Sequence, residues 1–254
     1  MCLGLILLAY VVYIIEICTA RRHGQNLTEN FTRVYKRRMW GAEGDGSGGS
    51  STMKATVGIR RYLADLIIKM NFTSFLDAPC GSMHWMPSVL IDVESRLSGK
   101  PFKFVGVDVV PYLMEQMRVK FANHANWTFR ATDITAEPLH ESFDLIMSRD
   151  VFFHLTFDKI KCALNFFSAS GSKYLLATSY KGAENSATSV KTVIKQELNE
   201  GGYRDVDMTA KPLFLPPPYE VFKEYSEERI MGLWTLPLPW KYDRGSDGNA
   251  LVCI

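Results

Sequence analysis

The chain has no Cys-x-x-Cys pair, and its five cysteines, Cys2, Cys18, Cys80, Cys162 and Cys253, are odd in number and widely spaced. That pattern excludes a disulfide scaffold or a thiolate zinc site as the organising principle, and no metal centre is expected. Charge of one sign is also scarce: 29 Lys and Arg stand against 27 Asp and Glu, a net +2. Residues 1–40 hold six of the basic and two of the acidic side chains, which leaves the rest slightly acidic. A body without a basic face is not a dedicated nucleic-acid binder. No repeat with a period of 20–50 residues is visible, which excludes a solenoid. The loop after the first expected strand holds a single glycine, Gly81, where a nicotinamide-dependent oxidoreductase would be expected to carry Gly-x-Gly-x-x-Gly. Apolar residues at 47% and aromatics at 12% are ample for a core in 254 residues.

The longest apolar run is CLGLILLAYVVYIIEIC, residues 2–18, interrupted by one charge at Glu16. At 1.5 Å per residue it spans roughly 26 Å, a little short of the ~30 Å hydrocarbon core. It reads as a membrane segment within residues 1–20, either a signal anchor or a cleaved signal peptide. The anchor is preferred, because no basic side chain precedes the run. The basic flank over 21–38 favours a cytosolic body. Four Asn-x-Thr sequons, at Asn26, Asn30, Asn71 and Asn126, favour a lumenal one. The balance tips slightly to a single-pass membrane protein whose body lies in the lumen.

Residues 21–52 read as a basic stem followed by a Gly/Ser tether, GAEGDGSGGSST at 41–52. Residues 53–254 form the expected globular domain. Within it, helical and extended patterns alternate. Helices are expected over 56–70, 86–97, from Pro111, over 159–167 and over 188–200. Strands are expected at 74–77, 101–107, 127–132, 143–148 and 173–179. Alternation with strands apolar on both faces predicts a doubly wound, mostly parallel α/β sheet of Rossmann-like type, helices on both faces. Such sheets bind ligands beyond the carboxyl ends of their strands.

Acidic residues fall at four successive strand ends. Asp77 ends the first strand, before the turn Pro79-Cys80-Gly81, where Gly81 allows close approach of backbone to a ligand. Asp108 ends the second, where a carboxylate can accept from ribose hydroxyls. Asp133 ends the third, placed for an adenine amino group, although Asp also caps turns. The fourth strand runs into Ser148, Arg149, Asp150 and His154. Trp85 either borders a cofactor or belongs to the core. Arg149 either meets an acidic substrate or neutralises Asp150. His154 is either a packed histidine or a base.

These residues bring the chain to a resemblance. Asp77-Ala-Pro79-Cys80-Gly81-Ser82-Met-His84-Trp85-Met86 resembles the first motif of a divergent branch of class I S-adenosylmethionine-dependent methyltransferases. In that branch it reads Asp-x-Pro-Cys-Gly-Asp-x-x-Trp-Met. Ser148-Arg149-Asp150 with His154-Leu155, the stretch Ser172–Thr178, Gly201–Arg204, the Pro-rich 211–218 and Met231–Trp234 follow in the branch's order. Ser82 departs from the pattern by replacing an Asp.

The resemblance implies methyl transfer from S-adenosyl-L-methionine to a glycan, lipid head group or small metabolite. It implies a cofactor site at Asp77, Cys80, Gly81, Trp85, Asp108, Asp133 and Ser148. Position after the fourth strand nominates His154 as general base, with Asp150 contributing. Ser82 keeps a rival reading open, an inactive methyltransferase-like binding module on a membrane.

Overall fold

The computed structural model describes residues 26–185 and 202–253. The run at 2–18 and the helix expected over 188–200 lie outside the described residues. Among the described residues no helix is long and apolar enough to cross a membrane.

Among the described residues seven strands form one sheet: β1 (Ser74–Asp77), β2 (Lys103–Asp108), β3 (Trp127–Ala131), β4 (Leu145–Ser148), β5 (Tyr174–Tyr180), β6 (Glu220–Lys223) and β7 (Arg229–Thr235). Their order is β3-β2-β1-β4-β5-β7-β6. β1 to β5 are parallel, and β7 runs antiparallel to both β5 and β6. The chain leaves β1 toward β2 on one side and returns to β4 on the other. The strand order therefore switches between β1 and β4, the place where such sheets bind ligands. The antiparallel hairpin has no counterpart in the sequence expectations. It sets Arg229 opposite Tyr180, at the carboxyl end of β5.

Alternate residues of the inner parallel strands β1, β2 and β4 enter different cores. Phe75, Phe104 and Leu145 point to one face. Leu76, Val105 and Ile146 point to the other. Both sets are apolar because both faces are covered, the physical reason for unbroken hydrophobic strands. The first face carries α2 (Val57–Lys69), α3 (Met86–Arg96) and α4 (Pro111–Lys120), through Ile59, Leu63, Val89, Leu90, Leu113 and Met117. α5 (Phe157–Ala169) packs on the second, with Val206, Met208, Leu213 and Leu215 from an irregular segment. α3 and α4 both begin with Pro in the first turn, where its missing N–H costs no hydrogen bond.

The stem and tether are not what composition suggested. α1 (Leu27–Lys36) is a formed helix, capped by the Asn26 side chain, which accepts from the Glu29 N–H at 3.2 Å. Leu27 is buried in one core, Tyr35 packs on the other, and Phe31 touches both. The helix therefore lies across the sheet's carboxyl-terminal rim. Burial of Leu27 and Val34 contributes roughly 1.5–3 kcal/mol each. Residues 41–52 follow as two short 3-10 turns, Glu43–Gly46 and Gly49–Ser51, with Gly44, Gly46 and Gly48 buried. The glycines do not loosen this segment. Gly44 sits at φ +56, and a Cβ there would lie 2.9 Å from the Ser51 Cβ. The tight fold needs residues without side chains.

At the far end, Cys162 of α5 is disulfide-bonded to Cys253. Asn165 exchanges two hydrogen bonds with the Tyr242 backbone, at 2.8 and 3.0 Å. The tail beyond Pro237 is thereby fastened to α5.

Candidate active site

The carboxyl ends of β1, β2, β3 and β4 and the arm formed by residues 26–52 line one cleft. Eight of the nine residues expected from sequence line it: Asp77, Cys80, Gly81, Trp85, Asp108, Asp133, Asp150 and His154. Ser148 does not. It is fully buried, and its hydroxyl donates to the Ala78 carbonyl, tying β4 to the turn after β1. Its role is to hold that turn. Cys80 turns its thiol inward, 3.8 Å from the Met114 sulfur and against Gly106, so what it offers the cleft is backbone geometry. The Trp85 indole is nearly buried in the core beneath the Arg149 guanidinium, 5.5 Å away.

The three acidic strand ends differ in what they already hold. Asp77 is 3% exposed, and its Oδ1 has no hydrogen-bond partner. Burial pushes its carboxyl well above the usual range, Arg149 pulls the other way, and Asp108 adds to the rise. The Asp108 carboxylate accepts from Gly81 N–H at 3.2 Å and Val110 N–H at 3.0 Å. Burial still pushes it up to about 6. Asp133 closes a turn by accepting from the Thr135 N–H and hydroxyl at 2.8 and 2.7 Å through Oδ1, while still lining the cleft. It has both the capping role and the position.

Asp150 is not placed as a base. It stands at φ +59 after β4. Its carboxylate lies 2.7 Å from Arg229 and 3.1 Å from Arg149. Burial would raise its affinity for a proton, but the two guanidinium groups outweigh burial and hold it low. A carboxylate with so little proton affinity is a poor acceptor in catalysis. Glu224, also buried, bonds both arginines at 2.7 and 3.2 Å and closes a four-charge ring. Arg149 further donates to the Ser50 carbonyl at 3.0 Å. Its guanidinium is thus committed to the fold rather than held open for an acidic substrate. Glu224 and Arg229 were missed in the sequence because they arrive on the antiparallel hairpin, which no local pattern announced.

His154 fits the base assignment better. Its Nδ1 is 2.6 Å from the Gly202 carbonyl. A carbonyl only accepts, so Nδ1 carries the proton and Nε2 keeps its lone pair. Burial lowers its proton affinity, against the opposing pull of the Gly202 carbonyl and Asp150. The imidazole is therefore neutral over most of the physiological range.

The arm completes the site, where composition alone predicts only a stem and linker. Phe31, Tyr35, Trp40 and Ser47 face the cleft. A chain of hydroxyls, Tyr35 to Ser47 to Ser82, links arm and first motif at 2.9 Å per step. Ser82 also donates to the Gly44 carbonyl at 2.8 Å. The residue that departs from the family pattern is thus the arm's docking point. His84 meets Asp45 of the arm at 2.9 Å. The available signal was Leu27, Phe31, Val34 and Tyr35 behind a capping Asn, a helical stripe.

A family model described as a methyltransferase domain matches residues 75–169. No curated protein matches the chain. Among solved structures, the chain is similar to the N-methyltransferase NodS from Bradyrhizobium japonicum WM9 in complex with S-adenosyl-L-homocysteine. The TM-score is 0.53 at 12% identity, covering 82% of this chain and 99% of that one. Magnesium protoporphyrin IX methyltransferase from Synechocystis PCC 6803, with bound S-adenosylmethionine, gives 0.51 at 10% identity over 82% and 94%. A possible exported protein from Bordetella parapertussis gives 0.52 at 13% identity over 72% and 69%. At these identities the likeness concerns the fold alone, a Rossmann-like sheet.

Proposed function

We propose that the protein transfers a methyl group from S-adenosyl-L-methionine to a hydroxyl-bearing glycan, lipid head group or small metabolite. The observation that carries this reading is the buried, unpartnered Oδ1 of Asp77 in a cleft rich in carboxylates. Asp77, Asp108, Asp133 and Asp150 line it, against one guanidinium that is already saturated. Such a cleft suits a ligand of net positive charge, and S-adenosylmethionine carries a sulfonium and an ammonium against one carboxylate. A dinucleotide brings two negative phosphates and does not suit it. Asp77 would accept from the ammonium, Asp108 from ribose hydroxyls and Asp133 from the adenine amine.

The cofactor supplies an electrophilic methyl group. The chain's part is alignment, exclusion of water and removal of one proton. His154 Nε2 takes the proton from the acceptor hydroxyl, while Asp150 fixes the rim. Ser82 faces the arm, so its departure from the motif is no argument for an inactive module. Calorimetry with S-adenosylmethionine tests the reading: binding is expected, and its absence in wild type overturns it.

We further propose a lumenal body held to a membrane through residues 2–18. The Cys162–Cys253 bond supports an oxidising compartment. Asn71 and Asn126 are exposed beside the amino ends of β1 and β3, away from the cleft. The basic flank at 21–38 pulls the other way. Endoglycosidase treatment of cell-made protein should shift its mobility; no shift, with Asn71 and Asn126 unmodified by mass spectrometry, places the body in the cytosol.

A further inference from the structure

His154 sits on a short 3-10 turn, Phe152–His154, which by itself does little to hold an imidazole. Its ring is held from elsewhere. The Trp40 indole of the arm stacks on it, with centroids 4.8 Å apart and planes 20° from parallel. Phe153 meets it edge-on at 4.4 Å and Phe31 at 6.4 Å. Tyr203 closes the remaining side at 6.5 Å. The Gly202 carbonyl fixes which nitrogen is protonated, but one hydrogen bond leaves the ring free to rock about it. A stacked indole removes that freedom and covers one face of the ring from water.

We propose that Trp40 is a positioning residue for His154, so that the base is complete only when the arm is docked. This rests on the role of His154 given under the proposed function. The arm reaches the site through the Tyr35–Ser47–Ser82 hydroxyls, the His84–Asp45 pair and the Arg149–Ser50 bond. Closure of the cleft and readiness of the base then become one event. Proton transfer would be possible only where bulk water is excluded.

The titratable groups facing His154 are Asp150 on its own loop and Tyr203 on the segment after Gly202. From the arm come the uncharged rings of Phe31 and Trp40. An indole face also attracts an imidazolium, which opposes its desolvating effect. Desolvation wins here, because the histidine stays below its ordinary value despite Asp150 and the Gly202 carbonyl. Removing the indole should therefore raise the midpoint of His154.

The test is histidine-selective NMR on the full chain in detergent, with His154 assigned through His154→Asn. In wild type the His154 Hε1 resonance should be displaced upfield by the indole ring current, and the nitrogen shifts should report the Nδ1–H tautomer. Trp40→Leu should move Hε1 downfield and raise the titration midpoint by about half a pH unit or more. Trp40→Phe, which keeps a stacked ring, should restore most of both. A wild-type Hε1 with no upfield displacement overturns the proposal, whatever the fate of the variants. So does a Trp40→Leu protein with unchanged shift and midpoint. Calorimetry on the same samples separates the two readings. If wild type does not bind S-adenosylmethionine, the proposed function falls while the Trp40–His154 coupling is still measured. If it binds and the resonance ignores Trp40, the positioning role alone falls.

Discussion

Asp77→Asn should separate stability from binding, moving the two in opposite directions. In the free protein Asp77 is buried with one oxygen unpartnered, a deficit of roughly 1–3 kcal/mol. Its carboxyl takes a proton more readily folded than at the ordinary value of 3.8. Above pH 3.8 the folded state therefore keeps a proton that the unfolded state has released, and stability falls as pH rises. The slope for one group reaches ~1.4 kcal/mol per pH unit until the folded carboxyl itself ionises. Asn preserves the shape and cannot ionise, so this component disappears. The variant should be more stable than wild type at neutral pH, with a difference that widens from pH 4 upward. For a body of this size each kcal/mol moves the melting temperature by roughly 2–4 °C. The same change removes a charge-assisted hydrogen bond to the cofactor ammonium, worth about 1.5–3 kcal/mol, or roughly 10- to 150-fold in affinity. Thermal melts from pH 4 to 8 and titration calorimetry read the two effects. A variant that is less stable than wild type at every pH, yet binds S-adenosylmethionine equally well, would refute the reasoning.

Three further outcomes are expected. S-adenosylmethionine affinity should rise as pH increases through about 6, where Asp108 ionises, and proton release should appear in calorimetry below that pH. Asp108→Asn should flatten that dependence, and a flat wild-type profile would contradict it. Asp150→Asn should cost about 3 kcal/mol in denaturant unfolding, because it leaves Arg149 and Arg229 short of a counter-charge; an unchanged midpoint would show that the ring is not structural. Gly81→Ala should loosen the arm, since the added Cβ would lie 2.9 Å from both the Tyr35 hydroxyl and Ser47 Oγ at a φ of +54. Faster proteolysis within residues 41–52 is the readout, and wild-type resistance would count against docking.

The sheet was legible in the sequence because its signal is local. An apolar strand buried on both faces declares itself within a few residues, as SFLD and KFVGVD do, and the acid closing each strand sits next to it in the chain. The phase of Asp77, Asp108 and Asp133 with the strand ends therefore survived into one cleft. The expectation for Ser148 fails because a strand end does not say which way its side chain turns, and here it turns to a backbone carbonyl. Position alone points Asp150 toward catalysis, because one of its two guanidinium neighbours lies 79 residues away, on a strand running against the others.

The arm marks the limit most clearly. Residues 41–52 look like a free linker by composition, since Gly and Ser bury little surface of their own. Their order comes from what they lean on: Ser82, His84 and Arg149, each more than thirty residues distant. The sheet, its cores and the acidic rim are legible locally, since hydrophobic period and strand-end chemistry are properties of neighbouring residues. That the arm lines the cleft, that Arg149 is spent on the fold, and that the His154 ring is buried with Nδ1 on the Gly202 carbonyl emerge only in the folded chain. Those depend on charges and rings brought together across the chain, where no local pattern constrains them.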